Sequence, residues 1–220
     1  MKKKVKQVIV FGLGRFGSSV AETLCQMNHE VLAIDSDKEL VDAISPYVTQ
    51  AVQADATDET VLDALGIGNF DMAVVAIGDI RDSILVTAIC KENGVEYILA
   101  KAMDELHAKV LTKVGADKIV YPERDMGARV AHTMMQTNVI DLMMLNNEYA
   151  LMEVNLPAAW EGKSIIDVDV RKKFALSILA IRRGSDYIVA PQPAQVMRAG
   201  DTLLVFGRDA DIDAIEVSGK

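Results

Sequence analysis

The 220-residue sequence has little cysteine: Cys25 and Cys90 only, with no CxxC pair. That excludes a disulfide framework, and both residues sit in apolar helical patterns that read as core. Surplus positive charge is also missing. Lys and Arg total 23 against 32 Asp and Glu, a net charge of −9. This excludes a general binder of nucleic-acid polymers, whose phosphates require a basic surface. Long apolar runs are absent as well. Stretches such as Met72 to Ile77 fall far short of the ~20 residues of a membrane-spanning helix. The start, Met-Lys-Lys-Lys-Val-Lys-Gln-Val-Ile-Val, is basic then apolar like a signal peptide, but Gly12, Gly14 and Arg15 interrupt it too soon. The expectation is a soluble, intracellular protein. There is no internal repeat, low-complexity segment, GxSxG, HExxH or P-loop. His29, His107 and His132 fall in no nucleophile or metal motif, so each is expected to be structural or superficial.

What is present is ordinary globular composition, half hydrophobic and a quarter charged. The length suits one large domain or two small ones. Up to about residue 138, apolar β-branched runs alternate with helical patterns. Strands are expected at Val5–Gly12, Glu30–Asp35, Thr49–Ala54, Phe70–Ile77, Tyr97–Ala100 and Lys118–Tyr121. Helices are expected at Gly17–Asn28, Asp37–Ile44, Glu59–Leu65, Arg81–Asn93 and Glu105–Val114. Such alternation implies βαβ units and a Rossmann-like parallel α/β sheet. A long helix is expected from Glu123 to about Leu142, bridging to a small α+β second domain. That domain would contain a strand at Tyr149–Leu156, a short helix at Lys163–Lys172, a hairpin turning at Arg183-Gly184-Ser185-Asp186, and a strand at Thr202–Phe206. The expected division is 1–140 and 141–220.

The strongest motif is Gly12-Leu13-Gly14-Arg15-Phe16-Gly17, placed between the first strand and the first helix. Gly12 permits the tight turn, Gly14 lets the backbone approach a phosphate, and Gly17 lets helix and sheet pack closely. The helix N-terminus offers N–H groups and a positive dipole end. Asp35 ends the second strand, where a carboxylate accepts from both ribose hydroxyls and repels the 2′-phosphate of NADP. Arg15 can reach a terminal phosphate. Asp55 sits where it can accept from an adenine amino group, with Asp58 the better-placed helix cap. No acid–base pair or substrate domain follows, as a dehydrogenase would need. The residues therefore point to a binding or sensing module and not to an enzyme. The alternative is a small NAD(H)-dependent oxidoreductase or an NADH-sensing redox regulator.

Taken together, several segments resemble the RCK (regulator of K⁺ conductance) family, of the KtrA/TrkA type. They are Val8 to Gly17, Val31-Leu32-Ala33-Ile34-Asp35, Ala54-Asp55-Ala56-Thr57, Phe70 to Gly78, and Gly115 to Glu123. The tail from about Met143 resembles the companion C-terminal domain, so the likeness covers nearly the whole chain. The resemblance implies a cytosolic regulatory subunit that gates a bacterial potassium uptake system. It implies dimers assembled into an octameric ring, docked on a KtrB/TrkH-like membrane potassium-translocating subunit at the inner face of the membrane. It implies ATP or ADP, with NAD(H) as the alternative, held by Gly12, Gly14, Arg15, Phe16, Gly17, Asp35, Asp55, Ala56, Thr57, Ile77, Gly78, Lys101 and Glu123. Glu123 would face the γ-phosphate and a divalent or Na⁺ cation. Cyclic di-AMP is implied in the second domain, at Ile165, Ile166, Asp167, Arg171, Ala175, Ile178 and Pro191.

Overall fold

Val8, Ile9, Val10 and Phe11 are all buried, because the strand that carries them is covered on both faces. That strand, β1 (Gln7–Phe11), lies inside a six-stranded parallel sheet with β2 (Glu30–Asp35), β3 (Gln50–Gln53), β4 (Met72–Val75), β5 (Tyr97–Lys101) and β6 (Lys118–Val120). The order is β3-β2-β1-β4-β5-β6. Parallel neighbours need crossovers, supplied by α1 (Arg15–Gln26), α2 (Lys38–Ile44), α3 (Glu59–Ala64), α4 (Ile80–Glu92) and α5 (Glu105–Val114). Successive residues of β1 enter different cores. Ile9 and Phe11 join Leu62, Val86, Ile89 and Leu111 on one face, while Val8 and Val10 join Ala21, Val41 and Ile44 on the other. This is why these strands read as unbroken apolar runs. The order reverses between β1 and β4, which opens a crevice at the carboxyl ends of the strands.

The computed structural model describes residues 4–135, 139–145, 148–208 and 211, and the side chain of His132 lies outside the described set. The chain divides into two units, Met1–Pro122 and Glu123–Lys220. The second contains α6 (Pro122–Met135, from its second residue), β7 (Val139–Met144), β8 (Tyr149–Asn155), α7 (Ile165–Val168), α8 (Val170–Phe174), β9 (Ser177–Arg183), β10 (Asp186–Val189) and β11 (Thr202–Arg208). Its five-stranded sheet is antiparallel, in the order β10-β9-β11-β8-β7. The alternation of β8 puts Ala150, Met152 and Val154 into a core with Trp160, Leu176, Ile181, Leu203 and Val205.

Two expectations are corrected. The helix is described as far as Met135, and Val139–Met144, expected within it, is an edge strand paired with β8. Its register shifts between Val139 and Asp141, so Val139 and Leu142 both reach the core. A bulge thus creates the three-residue spacing that imitates a helix. The expected helix over Lys163–Lys172 is two short helices. Asp169, at φ 55°, breaks them in the left-handed region.

Candidate functional site

The glycines of the first loop differ in what surrounds them. Gly12 has φ +86°, and a Cβ there would lie 2.9 Å from the Ala76 carbonyl carbon and the Ile77 nitrogen. A Cβ on Gly17 would lie 1.8 Å from the Gly12 carbonyl oxygen. These two interlock α1 with the exits of β1 and β4. Gly14 is different. Its φ of −62° and ψ of −178° suit any residue, and its absent side chain would meet nothing within 4 Å. Gly78 is equally open. The protein's own packing gives no reason for glycine at either position, and both line one cleft.

That cleft, of about 310 Å³, is lined by Gly12, Gly14, Asp35, Asp55, Ala56, Thr57, Ile77, Gly78 and Lys101 from the expected set. Its size is at the low end for small-molecule sites. Ser36 and Asp82 also line it and were missed by the sequence reading. The signal for Asp82 was faint: it lies four residues beyond Gly78, in the first turn of the helix that leaves β4. Arg15, Phe16 and Gly17 form the first turn of α1 and are not among the lining residues. Glu123 belongs to the second unit.

The end of α1 is built unlike its neighbours. α2, α3, α4 and α5 are capped by Asp37, Asp58, Asp79 and Asp104, whose side chains accept from first-turn N–H groups. Each also has an acidic residue in its first turn. α1 is capped by Gly14, with no side-chain bond and no acidic residue in its first turn. Its N–H groups and positive dipole end therefore keep their capacity for an anion.

Asp35 has a second duty. One carboxylate oxygen accepts from the Leu13 N–H at 2.6 Å, and the other from the Asp37 N–H at 2.9 Å. It thus pins the glycine loop to the start of the β2–α2 turn. Each oxygen keeps one lone pair for a ribose hydroxyl. Asp55 accepts from the Thr57 hydroxyl at 2.7 Å and its N–H at 2.8 Å. The Thr57 hydroxyl and then its amide hold the Asp55 carboxyl below the ordinary range. Asp58, not Asp55, caps α3. Lys101 is the one cation among the lining residues, which also include Asp35, Asp55 and Asp82. The bare helix end, the open Gly14 and the anchored Asp35 suit a phosphate-bearing nucleotide. A metal is different. Among the described residues no three His, Cys, Asp or Glu side chains gather to hold one.

The second unit has its own pocket, of about 360 Å³. Ile165, Ile166, Arg171, Ile178 and Pro191 line it, joined by Asp169, Val170, Leu176 and Pro193. Asp167 and Ala175 are not among the lining residues. The Asp167 carboxylate is engaged by Ser164, whose hydroxyl and then N–H donate to it and hold it below its ordinary pKa. Ala175 ends α8 with φ 53°.

The two units together define a class: a Rossmann-type domain followed by a small antiparallel α+β module. Comparison with known proteins agrees with it. The TrkA-N domain model matches residues 8–122 and the TrkA-C domain model residues 150–217. Ktr system potassium uptake protein C of Bacillus subtilis is 43% identical over 212 residues, covering 96% of each chain. Ktr system potassium uptake protein A of the same organism is 43% identical over 217 residues, covering 98% of each. The RCK domain of GsuK superposes with a TM-score of 0.66 at 16% identity, over 99% of this chain and 48% of that one. At that identity the likeness shows the fold alone. The chain belongs to the RCK family, of the KtrA/TrkA type, with a TrkA-N and a TrkA-C domain. No helix among the described residues is long and apolar enough to cross a membrane.

Proposed function

We propose that this chain is the cytosolic regulatory subunit of a bacterial Ktr/Trk-type potassium uptake system, sensing ATP and ADP in the first unit. Two relatives 43% identical over nearly their full length bear that system's name. The observation that carries the sensing is the bare N-terminus of α1, beside an open Gly14, on a sheet whose other described helices are capped by their own aspartates. In this reading, N–H groups of the α1 first turn bind phosphate, Asp35 the ribose, and Asp55, Ala56 and Thr57 the adenine. Phe16 and Gly17 shape the turn, while Ile77, Gly78 and Lys101 close the opposite wall. Asp35 suits NAD(H) equally, which is the alternative ligand.

A ligand shifts a conformational equilibrium only by the difference in its affinity for the two states. ATP differs from ADP by the γ-phosphate alone. Arg15 is exposed at the first position of α1, where a guanidinium can meet that group in one state and not in the other. The ring assembly, the membrane potassium-translocating partner, and Glu123 as a cation ligand belong to the same proposal. So does cyclic di-AMP in the second pocket, where Arg171 would pair a phosphate between apolar walls. The chain is proposed to sense and not to catalyse, so NAD(H) with candidate substrates should give no turnover.

Thermal unfolding with ATP, ADP, NADH or cyclic di-AMP tests the reading. A ligand of the folded state at one hundred times its Kd stabilises by about 2.7 kcal/mol. ATP or ADP should raise the midpoint, and Arg15→Ala should narrow the gap between them. No shift with any adenine nucleotide would defeat the proposal.

A further inference from the structure

We propose that His107 is a positioning residue of the cleft, tying the first turn of α4, which carries Asp82, to the exit of β5, which carries Lys101. The proposal rests on reading that cleft as a nucleotide site. His107 lies in the first turn of α5 and is 2% exposed. Its ring is fully engaged. Nδ1 accepts from the Met103 N–H at 3.2 Å, which leaves the proton on Nε2. Nε2 lies 2.9 Å from the Ser83 hydroxyl. That hydroxyl donates to the Ile80 carbonyl at 3.0 Å, so it accepts from the imidazole.

The partners matter more than the burial. Ser83 follows Asp82 directly, and Met103 lies two residues beyond Lys101. Asp82 and Lys101 both line the cleft, from different elements. One side chain therefore fixes the spacing of an acidic and a basic group on the cleft wall. The arrangement requires a neutral ring, since a proton on Nδ1 removes the acceptor for Met103. Burial favours that neutral form, against the pull of Asp104. The charged groups at the surrounding element ends are Asp79, Arg81 and Asp82 at the start of α4, Lys101 at the end of β5, and Asp104 and Glu105 at the start of α5.

The test uses the full chain and two variants, His107→Phe and Ser83→Ala, each checked for folding by its unfolding midpoint. Should His107→Phe fail to fold, Ser83→Ala decides. ADP and NADH binding are measured by calorimetry, and amide exchange is followed in the ligand-free protein. Expected are faster exchange at 81–83 and 101–103, and ADP affinity lower by about tenfold, the weight of one hydrogen bond. Wild-type affinity for NADH, whose pyrophosphate does not titrate there, should fall as the imidazole protonates, while that of His107→Phe stays flat. Unchanged affinity in folded variants overturns the proposal, even where exchange changes. If wild type binds neither ADP nor NADH, the nucleotide reading fails separately. The exchange data then still decide whether His107 braces the two walls.

Discussion

The two units hold themselves together by different means. In the first, apolar strands are sandwiched between helices, and aspartates cap all the described crossover helices except α1. In the second, strands and turns are joined by paired charges. Arg183 donates from Nε to Asp201 at 2.8 Å and from Nη2 at 2.7 Å, and Asp201 also accepts from the Arg198 N–H. Arg182 pairs with Glu153 across β9 and β8, and Arg129 of α6 pairs with Asp141 of β7. The difference teaches where each unit keeps its ligand chemistry. The first caps four of its helices with Asp37, Asp58, Asp79 and Asp104 and leaves backbone N–H groups at the start of α1. The second is crossed by ion pairs, yet its pocket is mostly apolar with Arg171 at its wall.

The sharpest way to break the comparison is Asp201→Ala. The Asp201 side chain is fully buried, while that of Arg183 is 29% exposed. Removing one partner of a buried pair costs ~3–5 kcal/mol, and the exposure of Arg183 puts the loss here near ~3. Trp160 is the sole tryptophan and packs buried against Phe174 in the second unit, so its fluorescence reports that unit. Its unfolding transition should move to much lower denaturant, while ADP binding to the first unit persists. An unmoved tryptophan transition would mean that apolar packing, not the pair, governs the second unit.

The glycine loop supplies the next two effects. Gly17→Ala puts a methyl 1.8 Å from the Gly12 carbonyl oxygen, and overpacking of this kind costs ~1–3 kcal/mol. The first unit should lose both stability and ligand binding. Gly14→Ala meets nothing in the protein, so stability should change by less than ~1 kcal/mol. Binding of ADP should nevertheless fall by more than about tenfold, because the methyl occupies the approach to α1. Equal binding by Gly14→Ala and wild type, measured by calorimetry, would remove the phosphate from that end of the helix.

The same contrast explains what the sequence disclosed. In the first unit, the parallel α/β sheet followed from alternating strand and helix periods, and the glycines with Asp35 and Asp55 pointed to the strand ends that line the cleft, because backbone conformation there is written in residue type. Ser36 and Asp82 reach the cleft only through folding of separate elements, and no local pattern announces them. The second unit was harder for a physical reason. The bulge near Ile140 gave β7 a helical spacing, and left-handed Asp169 broke a run that reads as one helix. The apolar pocket residues showed through resemblance, while the capping by Asp167 needed the Ser164 geometry.

Acidification should separate the units most finely. The carboxyl of Asp201 is held below its ordinary 3.8, first by Arg183, and that of Asp141 by Arg129. A depressed folded pKa means that the stabilisation is intact above 3.8 and is lost as pH falls through the folded value. His107 in the first unit is also depressed, by burial, from 6.5. The unfolded chain takes up that proton first, so the neutral imidazole's contribution is full above 6.5 and drains away as pH falls below it toward the folded value. Between pH 6.5 and 5, then, the protection factors of amides in α4 and α5, taken against the intrinsic exchange rate at each pH, should fall while the Trp160 unfolding transition stays in place. In His107→Phe that fall in protection should vanish. Equal sensitivity of both units over this range would show that other groups set the acid response of the first.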